Sequence, residues 1–147
     1  MSMIRQTVLV RTDLGFSTGL MAAQVSHIHL ETIRQSILRN QDTPGMVKNS
    51  NLTALLKNPD EVETFLDWLQ SPYIFVHGVP NLEALEHYER KAEGVFGLMT
   101  SVWTDTVRIV LSENQKIDLP NIKVGLSLGP ADSDIIRTII GDLPLLG

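Results

Sequence analysis

The chain contains no cysteine in its 147 residues, which excludes disulfides and thiolate metal centres and fits a reducing compartment. Long hydrophobic runs are also missing. Met1 to Arg5 leads only into the short apolar stretch Val8 to Val10, too short for a secretory core and far below the roughly 20 residues of a membrane span. A cytoplasmic location without membrane association is therefore expected. Positive charge is scarce: 12 Lys and Arg stand against 17 Asp and Glu, for a net charge of −5, and Arg90-Lys91 is the only adjacent basic pair. Nucleic-acid binders usually carry a basic footprint, because Lys and Arg neutralise phosphates and release counterions. Here such a patch has to be assembled in three dimensions from Arg5, Arg11, Arg108 and Lys123.

What is present suits one core. A length of 147 residues with 43% hydrophobic content lies in the single-domain range, and one domain over residues 1–147 is expected. Gln6 to Arg11 reads as a buried strand ended by Asp13 and Gly15. Ser17 then caps a helix in which Ala22, Val25, Leu30, Ile33 and Ile37 share one face at helical spacing, while Leu20, Gln24, His27 and Glu31 form a second stripe. Asn40 to Thr53 has loop composition and no period. Asn58-Pro59-Asp60-Glu61 opens a helix that directs Val62, Phe65, Leu66 and Leu69 inward, and Tyr73 to Val79 reads as a strand. Pro80-Asn81 starts a further helix, with Leu82, Leu85 and Ala92 inward and Gly94 as its stop. Phe96 to Thr104 is a third strand, with Val107 to Leu111 either extending it or standing apart. Ile122 to Leu128 is the last strand, and Gly129-Pro130 leads to a helix carrying Ile135, Ile136, Ile139 and Ile140. Strands separated by helices predict an α/β three-layer sandwich: a single mostly parallel or mixed sheet of about four strands with helices on both faces.

The densest local signal is Arg11-Thr12-Asp13-Leu14 followed by Gly19-Leu20-Met21-Ala22-Ala23-Gln24-Val25-Ser26-His27, where a strand end turns into a helix start. This stretch resembles the type 2 peptidyl-tRNA hydrolase family, whose pattern reads Arg-x-Asp-Leu, a glycine turn with lysines, and Ala-Ala-Gln-x-x-His. Three further pieces resemble it: Asn81 to Glu93, Thr104-Asp105 at the family's Asp-Ala-Gly-Arg-Thr, and Gly129-Pro130-Ala131 with Leu143 to Leu146. The departures are equally specific. Leu20 stands where the family has its site lysine, Thr106-Val107 replaces the Ala-Gly pair, and Ile109 takes the place of the threonine. The resemblance implies hydrolysis of the ester between a peptide and the 3′ ribose of tRNA, a tRNA partner, a homodimer and no cofactor. Loss of the lysine removes a cation from the site, a change on the order of 10² to 10³ in rate where electrostatic stabilisation dominates. A non-catalytic relative that binds a small ligand or a protein is the competing class.

The candidate catalytic residues are His27, as a base toward water, and Asp105, to orient water or polarise the histidine. Gln24, Arg11, Arg108, Thr18 and Gly19 are the candidate substrate contacts: an amide for a carbonyl, guanidinium groups for phosphate, and helix N-terminal amides for a developing oxyanion. Each has a plainer reading. His27 suits a solvent-facing helix position, Asp105 suits a turn, and for Arg11 a structural pair with Asp13 or Asp105 is preferred. Ser26 and His27 are helix neighbours about 100° apart and cannot form a nucleophile–base pair. Ser26 instead suits tight helix packing. His27 and His29 point to nearly opposite sides of a helix, so no metal site is expected and His29 reads as a core residue. Asp132 and Asp134 occupy the helix start after Gly129-Pro130 and would repel an anion there.

Overall fold

The computed structural model describes residues 3–38, 59–95 and 98–146. In chain order the elements are β1 (Ile4–Arg11), α1 (Thr18–Leu38), α2 (Pro59–Gln70), β2 (Tyr73–Val79), α3 (Leu82–Glu93), β3 (Thr100–Ser112), β4 (Gln115–Asp132) and α4 (Ser133–Ile140). The expected loop over Asn40 to Thr53 lies outside the described residues. Among those described, no helix is long and apolar enough to cross a membrane.

The strands form one mixed sheet in the order β2-β1-β4-β3, as expected for a three-layer α/β sandwich. β1 runs parallel to β2 from Arg5↔Tyr73 to Arg11↔Val79, whereas β4 is antiparallel to both β1 and β3. The run Gln6 to Val10 is buried throughout because both faces of this central strand are covered. On one face Leu9, Leu126 and Leu128 pack with Leu85 and Ala92 of α3 and with Ile136, Ile139 and Ile140 of α4. On the other, Val10, Val107 and Val124 meet Leu14, Phe16, Met21 and Trp103, and Phe65 and Trp68 of α2 pack against Ile4 and Ile33.

Caps fix the short helices. The Asn81 side chain accepts the Ala84 N–H at 2.9 Å, and Glu83 and Arg90-Lys91 complement the α3 dipole at its two ends. Asp132 accepts the Asp134 N–H at 2.8 Å to start α4, and Gly141 (φ 57°) ends it. Beyond α4, the Leu146 N–H donates to Val76 O at 2.8 Å and Leu145 bridges His77, so the tail covers the outer edge of β2.

Three expectations are corrected. Over residues 18–34 the buried face of α1 is Gln24, Ile28 and Thr32; Ala22 and Leu30 are exposed, the latter by 60%, and the burial of Ile37 lies outside the described residues. Ser26 is exposed, its hydroxyl bonded to Ala22 O at 3.1 Å, and fills no tight packing site. The cause is a polar network beneath the helix. Gln6 Nε2 donates to Thr32 Oγ1 (2.8 Å) and Ser127 Oγ (2.9 Å), the two hydroxyls lie 2.6 Å apart, and His29 Nδ1 sits 2.7 Å from Gln6 Oε1. Satisfied in this way, polar residues occupy positions that an apolar pattern assigns elsewhere. The third correction concerns the strands. Val107 to Leu111 continues β3, one of the two arrangements expected, but β4 begins at Gln115 and not at Ile122, because the two strands extend together as a hairpin in which residues 108–121 are exposed.

Candidate active site at the first helix and third strand

The turn from β1 to α1 is held by backbone and charge. Gly15 (φ 72°) provides the left-handed residue, and Ser17 Oγ accepts the Leu20 N–H at 3.2 Å. Thr12 N–H binds Val79 O at 2.9 Å, tying the ends of β1 and β2 together. Arg11 grips Asp13 with both Nε (2.9 Å) and Nη2 (2.8 Å), while its Nη1 donates to Lys123 O at 3.1 Å. The preferred structural pairing of Arg11 is thus the one formed. The Arg11 hydrogen bond holds the Asp13 carboxyl below the usual carboxylate range.

Among the described residues the four basic candidates do not form one patch, although Arg11 and Lys123 are neighbours. Arg5 and Arg11 lie at opposite ends of β1, about 20 Å apart at the usual strand rise, and Arg5 stacks over Phe75 at 4.8 Å. Arg108 faces Asp118 across the hairpin at 2.8 Å. Lys123 binds Glu89 at 2.9 Å and Glu86 at 3.5 Å; the Glu89 hydrogen bond raises its pKa. The patch of Arg5, Arg11, Arg108 and Lys123 is therefore not assembled.

The polar centre lies where α1 crosses β3. Asp105 sits within β3, at an irregularity between Asp105 and Val107, and not past the strand end as expected. Its Oδ2 accepts from Gln24 Nε2 at 2.9 Å and its Oδ1 from the Thr106 N–H at 2.7 Å. Gln24 is 4% exposed, so this hydrogen bond is sheltered from water. Gln24 Oε1 in turn accepts from the indole Nε1 of Trp103 at 2.8 Å. His27, exposed on the next turn of α1, packs on Trp103 with centroids 5.2 Å apart and planes at 51°. His27 and Asp105 are not hydrogen-bonded to one another, so direct polarisation of the imidazole by Asp105 is not formed; the contacts run from His27 to Trp103, from Trp103 to Gln24 and from Gln24 to Asp105.

Register places this centre at the C-terminal end of β1. Val10 pairs with Gly125, which pairs with Trp103, and Thr104 pairs with Lys123 beside Arg11. Thr18 and Gly19 are exposed in the first turn of α1, where helix geometry leaves the leading amides without intrahelical acceptors. Leu20 is 45% exposed one turn before Gln24. Arg108 lies further out on the hairpin, three residues beyond Asp105. His29 belongs to the buried network instead, against Trp68 at 5.5 Å, and burial lowers its pKa. The sequence pattern does not single out Trp103. Its signal was its place two residues before Asp105, which in a strand puts both side chains on one face.

A carboxylate and an amide hydrogen-bonded between α1 and the edge strand β3, level with the C-terminal end of β1, form a polar centre at the end of the sheet where open α/β domains commonly bind ligands. A family profile described as Peptidyl-tRNA hydrolase PTH2 matches residues 4–146, and the chain belongs to that family. Among its relatives, proteins of Saccharolobus islandicus strains L.S.2.15 and M.14.25, each described as Peptidyl-tRNA hydrolase, are 31% identical over 146 residues, spanning 98% of this chain and 100% of theirs.

Proposed function

We propose that this chain hydrolyses the ester linking a peptide to the 3′ ribose of tRNA. The observation that carries the reading is the Gln24–Asp105 hydrogen bond between the second turn of α1 and β3, in a member of this family. Asp105 uses its remaining lone pairs to orient and deprotonate the attacking water. Gln24 holds the carboxylate, and the Thr18 and Gly19 amides face the oxyanion that develops on the ester carbonyl. His27 flanks the site as a second proton acceptor. Arg11 and Arg108, each already paired with a carboxylate, meet phosphate only by exchanging partners. The reading includes action in cytoplasmic translation, one folded unit over residues 1–147 and a homodimer, which sedimentation tests.

Single-turnover hydrolysis of an N-blocked aminoacyl-tRNA tests the proposal. Release above the uncatalysed rate, falling about 100-fold or more in Asp105→Ala and less in His27→Ala, is expected. Release at the uncatalysed rate at high protein concentration refutes it. The exposed side chain of Leu20, in the position of a cation, favours the alternative of a binding module; that reading predicts no turnover and no salt-sensitive retention on immobilised tRNA.

A further inference from the structure

We infer that Trp103 is a positioning residue that sets which way the Gln24 amide faces and thereby directs its NH2 group at Asp105. The inference rests on the proposed hydrolase site and adds to it a residue that acts through Gln24 without touching substrate.

A glutamine amide has two ends of similar shape and opposite hydrogen-bonding character, and a buried one can satisfy its surroundings in either of two flips. An indole N–H can only donate. A carboxylate can only accept. With Trp103 Nε1 at 2.8 Å on one side and Asp105 Oδ2 at 2.9 Å on the other, only one flip satisfies both neighbours: Oε1 toward Trp103 and Nε2 toward Asp105. The reverse flip sets NH2 against N–H and carbonyl against carboxylate. Gln24 is 4% exposed, so water cannot compensate.

The Thr106 N–H fixes the other carboxylate oxygen at 2.7 Å. Asp105 is therefore aimed from two sides, and one of them depends on an indole N–H two residues away on the same strand. The Trp103 ring also packs among Val10, Val107 and Val124, and against the His27 ring at 5.2 Å. One side chain thus supports the amide by its N–H and the imidazole by its face.

Trp103→Phe removes the N–H while keeping an aromatic ring for the packing. If Trp103 acts through Gln24, the maximal single-turnover rate falls about tenfold with the half-saturating protein concentration little changed, and the double variant Trp103→Phe/Gln24→Leu is no slower than Gln24→Leu alone. Additive losses, or Trp103→Phe at the wild-type rate, overturn the inference. Nuclear magnetic resonance separates it from the hydrolase reading. In wild-type protein the Gln24 side-chain NH2 signals are expected at hydrogen-bonded positions and slow to exchange. In Trp103→Phe they move toward free-amide values while the Thr106 amide signal stays in place. If the wild type hydrolyses nothing but these signals behave so, the proposed function fails and the positioning role stands; Gln24 signals unchanged in Trp103→Phe overturn the positioning role whatever the activity.

Discussion

Substituting Gly125 by alanine tests how closely α1 must sit on the sheet. A methyl group at Gly125 would stand 2.4 Å from Ile28 Cδ1 and 2.8 Å from Leu9 O, whereas ordinary contact begins near 3.4 Å. Relief requires the Ile28 side chain or the helix to retreat by up to about 1 Å, in a region packed at crystal-like density. Overpacking of this kind costs about 1–3 kcal/mol, which for a domain of this size lowers Tm by roughly 3–10 °C. Because Ile28 is one turn beyond Gln24, a retreat of α1 also draws the amide off Asp105. A displacement near 1 Å reduces turnover by up to about 100-fold. The assay is a thermal melt of Gly125→Ala, of Ile28→Val and of the double variant. Valine lacks the clashing methyl, so the double variant should be about 0.5–1 kcal/mol more stable than the sum of the single effects predicts. Contact with Leu9 O persists, so rescue is incomplete. Strictly additive effects, or a Gly125→Ala protein as stable and as active as wild type, would refute the close approach of α1 to β4.

Gln6→Leu deprives Thr32, Ser127 and His29 of their shared partner and should lower unfolding free energy in urea by about 1–3 kcal/mol; an unchanged midpoint contradicts a closed network. Burial holds the His29 pKa below its ordinary value, so its unfolded form binds the proton first. Its stabilising contribution is complete above about pH 6.5 and is lost as pH falls from there toward the lower folded value. Melts between pH 8 and 5 should show a steeper acid-side loss in wild type than in His29→Gln, and parallel curves count against this assignment. Leu20→Lys restores a cation one turn before Gln24 and should raise single-turnover release about tenfold or more, with a salt-sensitive gain; no gain at low salt argues against an electrostatic role at this position.

Local signals in the sequence were sufficient wherever one physical preference dominated. The β-branched run before Arg11, the helix start at Pro80-Asn81 and its stop at Gly94 each identified an element, because backbone geometry and apolar burial agreed there. In α1 they disagreed. Apolar periodicity favoured Ala22 and Leu30, whereas the buried positions are Gln24 and Thr32, whose burial depends on Asp105, Trp103, Gln6 and Ser127 far away in the chain. Hydrophobic patterning carries no record of such partners. The same limit hid Trp103, while Asp105 was legible only because a motif resembled a family. The pairing of the hairpin from Arg108 to Asn121 is not legible in the sequence for a related reason: exposed on both sides, it has no buried face to impose a two-residue period.

The buried network under α1 has a consequence for the angle of the helix about its own axis. Apolar contacts alone tolerate rotation, since one aliphatic side chain replaces another with small loss. A glutamine of β1 that must reach both Thr32 and His29 of α1 narrows the azimuth far more. Gln24 lies eight residues before Thr32, about two turns along the same face, so the angle that satisfies Gln6 also delivers Gln24 to Asp105. Gln6 thus works as a key in a lock whose bolt is two turns away, and the aim of the site is set by residues no substrate reaches.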